Sequence, residues 1–204
     1  DNRCIRCGQC VHSCPFGAIS TKTHLLQVIS AIKEGKEVYA MCAPATEGQF
    51  GKDISMSAIR VALKKLGFTD MVEVGLGGDM TAAYEALEWS EARKEGKKMT
   101  TSCCPAFINL LKIHFPDQYH ENMSETLSPM AAVSRYLKAI HPDCVTVFIG
   151  PCMAKKSESQ EMGIEGNADY VLSFGEFSSL LRSKDVQLEA EVSPCQEASL
   201  WGKN

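Results

Sequence analysis

Apolar positions recur along the chain with two distinct periods. Leu25, Val28, Ile29 and Ile32 share one face of a helical stretch over 21–34, and Gly35 follows as a stop. Val38 to Cys42 is a short continuous apolar run, which predicts a buried strand over 37–42 that ends at Ala43-Pro44-Ala45. Asp53 is placed to cap a helix over 54–66, closed by Gly67. A second strand is expected over 71–74. A glycine-rich turn over 75–78 then leads to Asp79 as the cap of a helix reaching about Lys94. A third short strand is expected over 99–102. Helices follow from Pro105 to about His114 and after Ser128-Pro129. Val145 to Gly150 and Tyr170 to Ser173 complete the strands, and Ser173 with Glu176 forms a capping box for a last helix to about Arg182.

Strands that alternate with helices predict an α/β class with parallel-rich sheet flanked by helices. Ligands in such folds sit at the carboxyl ends of strands. Charge changes this picture little. The 204 residues carry a formal net charge of −4 and no Lys/Arg tract, which argues against nucleic acid as a partner. No apolar run is long enough to span a bilayer, so no membrane partner is expected. The chain starts with Asp1 rather than Met and reads as a segment of a longer protein.

The ten cysteines change the picture most. Cys4, Cys7, Cys10 and Cys14 follow the spacing C-x2-C-x2-C-x3-C, and Pro15 comes next. A disulfide knot would need a secreted context, and zinc sites prefer two separated pairs. The spacing is that of a bacterial 4Fe–4S run, and over about 20 residues the segment resembles the ferredoxin family. Only one run is present. Either a partner run lies upstream, with Cys14 reaching its cluster, or the segment is a single-cluster variant; the first is favoured.

Two further cysteine motifs fall where strands end. One is Thr101-Ser102-Cys103-Cys104-Pro105, at a helix start that favours anionic sulfur. The other is Gly150-Pro151-Cys152-Met153-Ala154-Lys155-Lys156, with a thiol three residues before a cation. Each alone would be read as buried cysteine filling space, and the lysines as a solvated pair.

Taken together and in this order, the ferredoxin run, Ala43-Pro44, Thr101 to Pro105 and Pro151-Cys152-x-x-Lys155 resemble the FeFe-hydrogenase family over essentially the whole chain. The resemblance implies a partial H-cluster domain over 37–204. A connecting helix over 21–36 precedes it, and half of a ferredoxin-like 4Fe–4S module occupies 1–20. It implies that Cys104 and Cys152 are two of the four thiolates holding the 4Fe–4S part of the H-cluster. The other part is a di-iron unit with CO, cyanide and a dithiolate amine. Lys155 matches the lysine that bonds a cyanide, since anionic buried ligands need donors. Ala43, Pro44, Pro105 and Pro151 match residues that shape the pocket. Cys103 matches the proton-relay thiol, and Glu85, Ser124 and Glu88 match the path from it to solvent. Without the resemblance, Glu85 and Glu88 would be read as a solvated helix face beside Glu91 and Glu95.

The resemblance also has gaps. Nothing after Cys152 matches the motif that supplies the last two cluster cysteines; Cys195 stands alone with the wrong spacing. Gly150 stands where catalytic members carry Met, Ala106-Phe107 where they carry Gly-Trp, and Met130 where Gln is common. Cys42 and Cys144 are expected to be packing residues, and His12 a surface residue. The implied function is reversible reduction of protons to H2 with electrons from 4Fe–4S clusters, this fragment alone being inactive. The implied partners are ferredoxin or another redox carrier, H2 and protons, and di-iron maturation machinery, in a reducing cytoplasm. A hydrogenase-like sensor, or a non-catalytic iron–sulfur electron-transfer or assembly protein, is the alternative.

Overall fold

The structure, a computed structural model, describes residues 2–161 and 163–190. Helix α1 spans Gln9–Ser13 and α2 Leu25–Lys33. Strand β1 (Val38–Cys42) is followed by a 3-10 turn (Pro44–Thr46), α3 (Met56–Leu66), β2 (Asp70–Glu73) and α4 (Gly75–Lys94). Then come α5 (Pro105–His114), α6 (Pro116–Asn122), α7 (Pro129–Ile140), β3 (Val145–Ile149), α8 (Ala154–Glu158), β4 (Tyr170–Leu172) and α9 (Phe174–Ser183). The sheet order is β2-β1-β3-β4 and every pairing is parallel, with Met41 opposite Phe148 and Cys42 opposite Ile149.

All five residues of β1 are buried, as a central parallel strand covered on both faces requires. The two-residue alternation divides its side chains between two layers. Val38, Ala40 and Cys42 pack with Val147 and Ile149 against α2, α3 and α9, where Leu63 and Phe177 are fully buried. Tyr39, Met41 and Ala43 pack with Phe148 against Met130, Val133 and Leu137 of α7. Each fully buried apolar side chain of this kind contributes about 1.5–3 kcal/mol. A buried polar pair beside the second layer, Ser134 and Thr146, is hydrogen-bonded at 2.9 Å, so its burial is compensated.

Local signals set several boundaries. The capping box is realised: Ser173 Oγ accepts from Glu176 N, and the Glu176 carboxylate accepts from Ser173 N at 2.7 Å. Other expectations shift. Ser55, not Asp53, caps α3, its hydroxyl accepting from Ala58 N at 3.1 Å. The run over 75–78 is the first turn of α4 rather than a turn before it. Gly77 makes this possible, because a Cβ there would overlap the Pro129 carbonyl oxygen and press on Val133. Residues 99–102 form no strand. Thr100 makes one parallel bridge with Met123, donating from its N to Asn122 O at 2.7 Å and accepting from Ser124 N at 2.9 Å. Helix α2 begins at Leu25 instead of Thr21, because Lys22 and His24 bond to α8 and β4. Among the described residues no helix is long and apolar enough to cross a membrane.

Candidate functional site

The chain runs from β1 to β2 on one side and from β3 to β4 on the other, so the order reverses between β1 and β3. A crevice at the carboxyl ends of such a strand pair is where open α/β sheets bind ligands. Here the ends of β1 and β3 are tied by Ala43 N to Ile149 O at 2.9 Å, and the end of β3 is tied to β4 by Gly150 N to Leu172 O at 3.1 Å. Ala43 is buried, and Pro44 opens the 3-10 turn. Thr46 is fully buried and its Oγ1 has no hydrogen-bond partner, a state that native interiors seldom leave unanswered. Gly150 is closed in. A Cβ there would meet the Phe148 ring at 2.7 Å and Ala43 Cβ at 3.0 Å, so the Phe148 ring fills this part of the wall. Pro151 is exposed and Cys152 half-buried.

Helix α5 brings the second motif to this end. Cys104 is its N-cap in extended backbone, and Pro105, buried, is its first residue. The Cys104 side chain therefore stands at the positive end of the α5 dipole. Lys155, on α8, joins the motifs. Its Nζ donates to the Cys103 carbonyl at 3.3 Å and to Glu158 Oε2 at 2.6 Å. The other Glu158 oxygen accepts from Ser128 Oγ. Lys155, Glu158 and Ser128 are all buried. Neither Glu158 nor Ser128 was expected in the site. The i,i+3 spacing of Lys155 and Glu158 is the only sequence signal for the first. The second was visible only as a helix cap.

The expected relay residues lie along one line of contacts. Glu85 and Glu88 are half-buried on α4, whereas Glu91 and Glu95 are exposed. The Glu85 carboxylate accepts from Thr101 Oγ1 at 2.8 Å and Ser102 N at 2.9 Å, the two residues before Cys103. Cys103 N in turn donates to Thr101 Oγ1 at 3.4 Å. Ser124 Oγ donates to Glu88 and accepts from Thr126 N at 3.1 Å. Ser102 Oγ donates to the Thr126 carbonyl, which joins the Glu85 end to the Ser124 end. Thr101 and Ser102, which the motif names without a role, and Thr126, which no motif names, are thus part of this line of contacts. An open cleft of about 1100 Å³ adjoins Ser102, Ser124, Ser128 and Glu158 and reaches Cys4.

In the segment over 2–20, Cys4, Cys7 and Cys10 are exposed and Cys14 is half-buried. Backbone N–H groups, first that of Phe16 and then that of Ala18, hold the Cys14 thiol below its ordinary value, as suits a thiolate ligand. Among the described residues no three His, Cys, Asp or Glu side chains are gathered to hold a metal ion. Cys42 is a packing residue: burial, with the Glu73 carboxylate as a smaller cause, pushes its thiol up to about 12. Cys144 is also buried and its thiol is raised by burial. His12 is exposed. Cys195 lies outside the described residues.

The donor set at the strand ends suits part of an anionic iron–sulfur cofactor. Cys104 and Cys152 offer two sulfurs, Lys155 a buried cation, and Thr46 an unanswered hydroxyl. A cubane takes four thiolates, so two sulfurs would be half of a ligand set.

Comparison with known proteins bears on both segments. The family described as "Iron only hydrogenase large subunit, C-terminal domain" matches residues 36–202, and a 4Fe–4S binding domain matches residues 1–20. The NADP-reducing hydrogenase subunit HndD of Solidesulfovibrio fructosivorans is 27% identical over 216 residues, covering 91% of this chain and 36% of that protein. Iron hydrogenase 1 of Clostridium pasteurianum is 27% identical over 194 residues, covering 84% of this chain and 34% of that one. The chain thus spans about a third of the length of these relatives. A solved FeFe-hydrogenase, described for stepwise H-cluster assembly, superposes with a TM-score of 0.72 at 25% identity, over 84% of this chain and 49% of that one. The apo form of HydA1 from Chlamydomonas reinhardtii, a cysteine-to-histidine variant, gives 0.71 at the same identity, over 84% and 50%.

Proposed function

Because the chain belongs to the iron-only hydrogenase family, whose model matches residues 36–202, we propose that it works in the interconversion of H2 with protons and electrons. The cofactors of that family are 4Fe–4S clusters and the H-cluster. When bound, the H-cluster supplies the metal centre at which two protons and two electrons become H2, or the reverse. Cys104 and Cys152 would hold two of its irons, and Lys155 Nζ would donate to an anionic ligand. Cys4, Cys7, Cys10 and Cys14 would bind the 4Fe–4S centre of residues 1–20. That segment, the connector over 21–36 and the catalytic part over 37–204 are the functional divisions. A ferredoxin or similar carrier in a reducing cytoplasm is the electron partner.

The observation that carries the reading is the 3.3 Å bond from Lys155 to the Cys103 carbonyl. It joins Lys155, in the cysteine motif that follows β3, to Cys103, in the cysteine motif at the start of α5, across 52 residues of sequence. The relay contacts support the same reading. Cys103 Sγ holds a proton next to the site. Thr101 and Ser102, the two residues before it, fix the Glu85 carboxylate, and Ser124 donates to the half-buried Glu88. A thiol suits this task because its pKa, about 8.5 when free, allows proton uptake and release near neutrality.

The test is Cys103→Ala in the matured natural protein. H2 turnover should fall by about 10²–10⁴, the usual worth of a positioned acid–base group, with iron content unchanged. Turnover near wild type in a fully loaded variant would overturn the relay.

A further inference from the structure

Residues 2–24 have no core of their own. Helix α1 buries none of its residues, and Phe16 is 90% exposed. What fixes the segment is its contact with the α/β domain. At its start, Asn109 Nδ2 donates to the Ile5 carbonyl at 3.2 Å, and His114 Nε2 pairs with the Arg3 carbonyl at 3.3 Å, both from α5. At its end, Lys156 Nζ donates to the Lys22 carbonyl at 3.0 Å and to Glu176 at 2.7 Å, and His24 Nδ1 accepts from Val171 N at 3.0 Å.

Between these ties one side chain is touched twice. Gly8 lies so close to Met153 that a Cβ would meet its Cγ at 2.7 Å and its Cβ at 2.9 Å, and Gly8 has φ +83°. Thr21 Oγ1 lies 3.7 Å from the Met153 sulfur. Met153 therefore meets the segment both inside the cysteine run, next to Cys7, and beyond its last cysteine. It is also the residue after Cys152 and the N-cap of α8, the helix that carries Lys155 and Lys156.

We propose that Met153 is the positioning residue on which the 4Fe–4S segment is seated, and that this seat sets how closely its ligand loop approaches Cys152. A thioether on an unbranched chain suits the task, since it fills an irregular gap between backbone and side chains. Glycine at position 8 suits it equally, because the backbone must come within contact of Met153 in a left-handed conformation. The proposal rests on the functional reading above only for the purpose of the seat, not for its existence.

The test uses the natural protein, purified without oxygen and carrying its iron–sulfur clusters. It compares Met153→Ala, Met153→Leu, Gly8→Ala and the double variant Gly8→Ala/Met153→Ala. Amide hydrogen exchange over 2–20 reads the seat directly. The microwave power saturation of the reduced cluster held by that segment reads its distance from neighbouring clusters. Met153→Ala should speed exchange over 2–20 by about tenfold and alter the saturation, with iron content and the melting of the α/β domain retained. Met153→Leu, which keeps the volume, should stay near wild type. The double variant should lie closer to wild type than Gly8→Ala, because the 2.7 Å overlap with the Met153 Cγ is gone and only the 2.9 Å approach of the Cβ remains. Wild-type exchange and saturation in Met153→Ala would overturn the proposal, as would a double variant no better than Gly8→Ala. If Gly8→Ala fails to keep its cluster, the Met153 variants decide alone. None of these readouts needs H2 turnover, so a protein without a di-iron unit would defeat the functional reading and still test the seat.

Discussion

Replacing Glu158 by Gln isolates the buried trio that ties the site together. The Lys155 and Glu158 side chains are 10% and 6% exposed, and their closest N–O distance is 2.6 Å. Removing one partner of such a pair leaves the other charge uncompensated, at a cost of about 3–5 kcal/mol. The lower end applies here, since the Gln carbonyl oxygen and the Cys103 carbonyl still accept from the ammonium. A loss of about 3 kcal/mol is a large share of the roughly 5–15 kcal/mol that holds a domain folded. With a urea slope of about 2 kcal/mol per M, the unfolding midpoint of the metal-free chain under reducing conditions should drop by about 1.5 M. Lys155→Met/Glu158→Gln removes the stranded cation, and its midpoint should lie above that of Glu158→Gln alone. A Glu158→Gln midpoint within about 0.3 M of wild type, or strictly additive effects in the cycle, would refute the coupled buried pair.

Two further effects follow from other contacts. Burial holds His24 below its ordinary value, with Lys156 as the next cause; Lys22 acts in the same direction and Glu176 against it. The unfolded chain therefore takes up this proton first as pH falls through about 6.5, so stability should drop between pH 7.5 and 5.5 with a slope of up to about 1.4 kcal/mol per unit. Urea midpoints across that range check this, and His24→Asn should flatten the slope. Gly77→Ala should cost about 1–3 kcal/mol by forcing α4 and α7 apart, read as a lower melting temperature; an unchanged one would mean that the helices separate freely.

The sequence made the α/β class legible through Val38 to Cys42 and Val145 to Ile149, short β-branched-rich or apolar runs that alternate with helical stretches, as buried parallel strands do. Ser173 with Glu176 and Pro105 after Cys104 marked helix starts because caps are local chemistry. The stretch 99–102 misled because its residues have strand character but no strand beside them, only Met123. The Gly75 to Gly78 run misled because glycine marks both turns and close helix contacts, and Gly77 serves the second. In the site, cysteine spacing pointed to an iron–sulfur family, since ligand geometry is written in short intervals. Glu158 was not legible, and the contacts of Ser128, Thr101 and Ser102 were not, although the last two stand in a motif. Their roles depend on α4, α5, α7 and α8 meeting at one place, and no interval along the chain encodes that meeting.

The proposed function requires that Cys104, Cys152 and Lys155 serve a hydrogenase cofactor. Infrared spectroscopy of the complete natural protein, matured and handled without oxygen, tests it most directly. Bands from iron-bound CO and cyanide are expected, with the cyanide bands shifting in Lys155→Met as their donor is lost. No such bands would contradict the proposed function, provided 4Fe–4S signals persist by EPR and the same maturation loads a control hydrogenase.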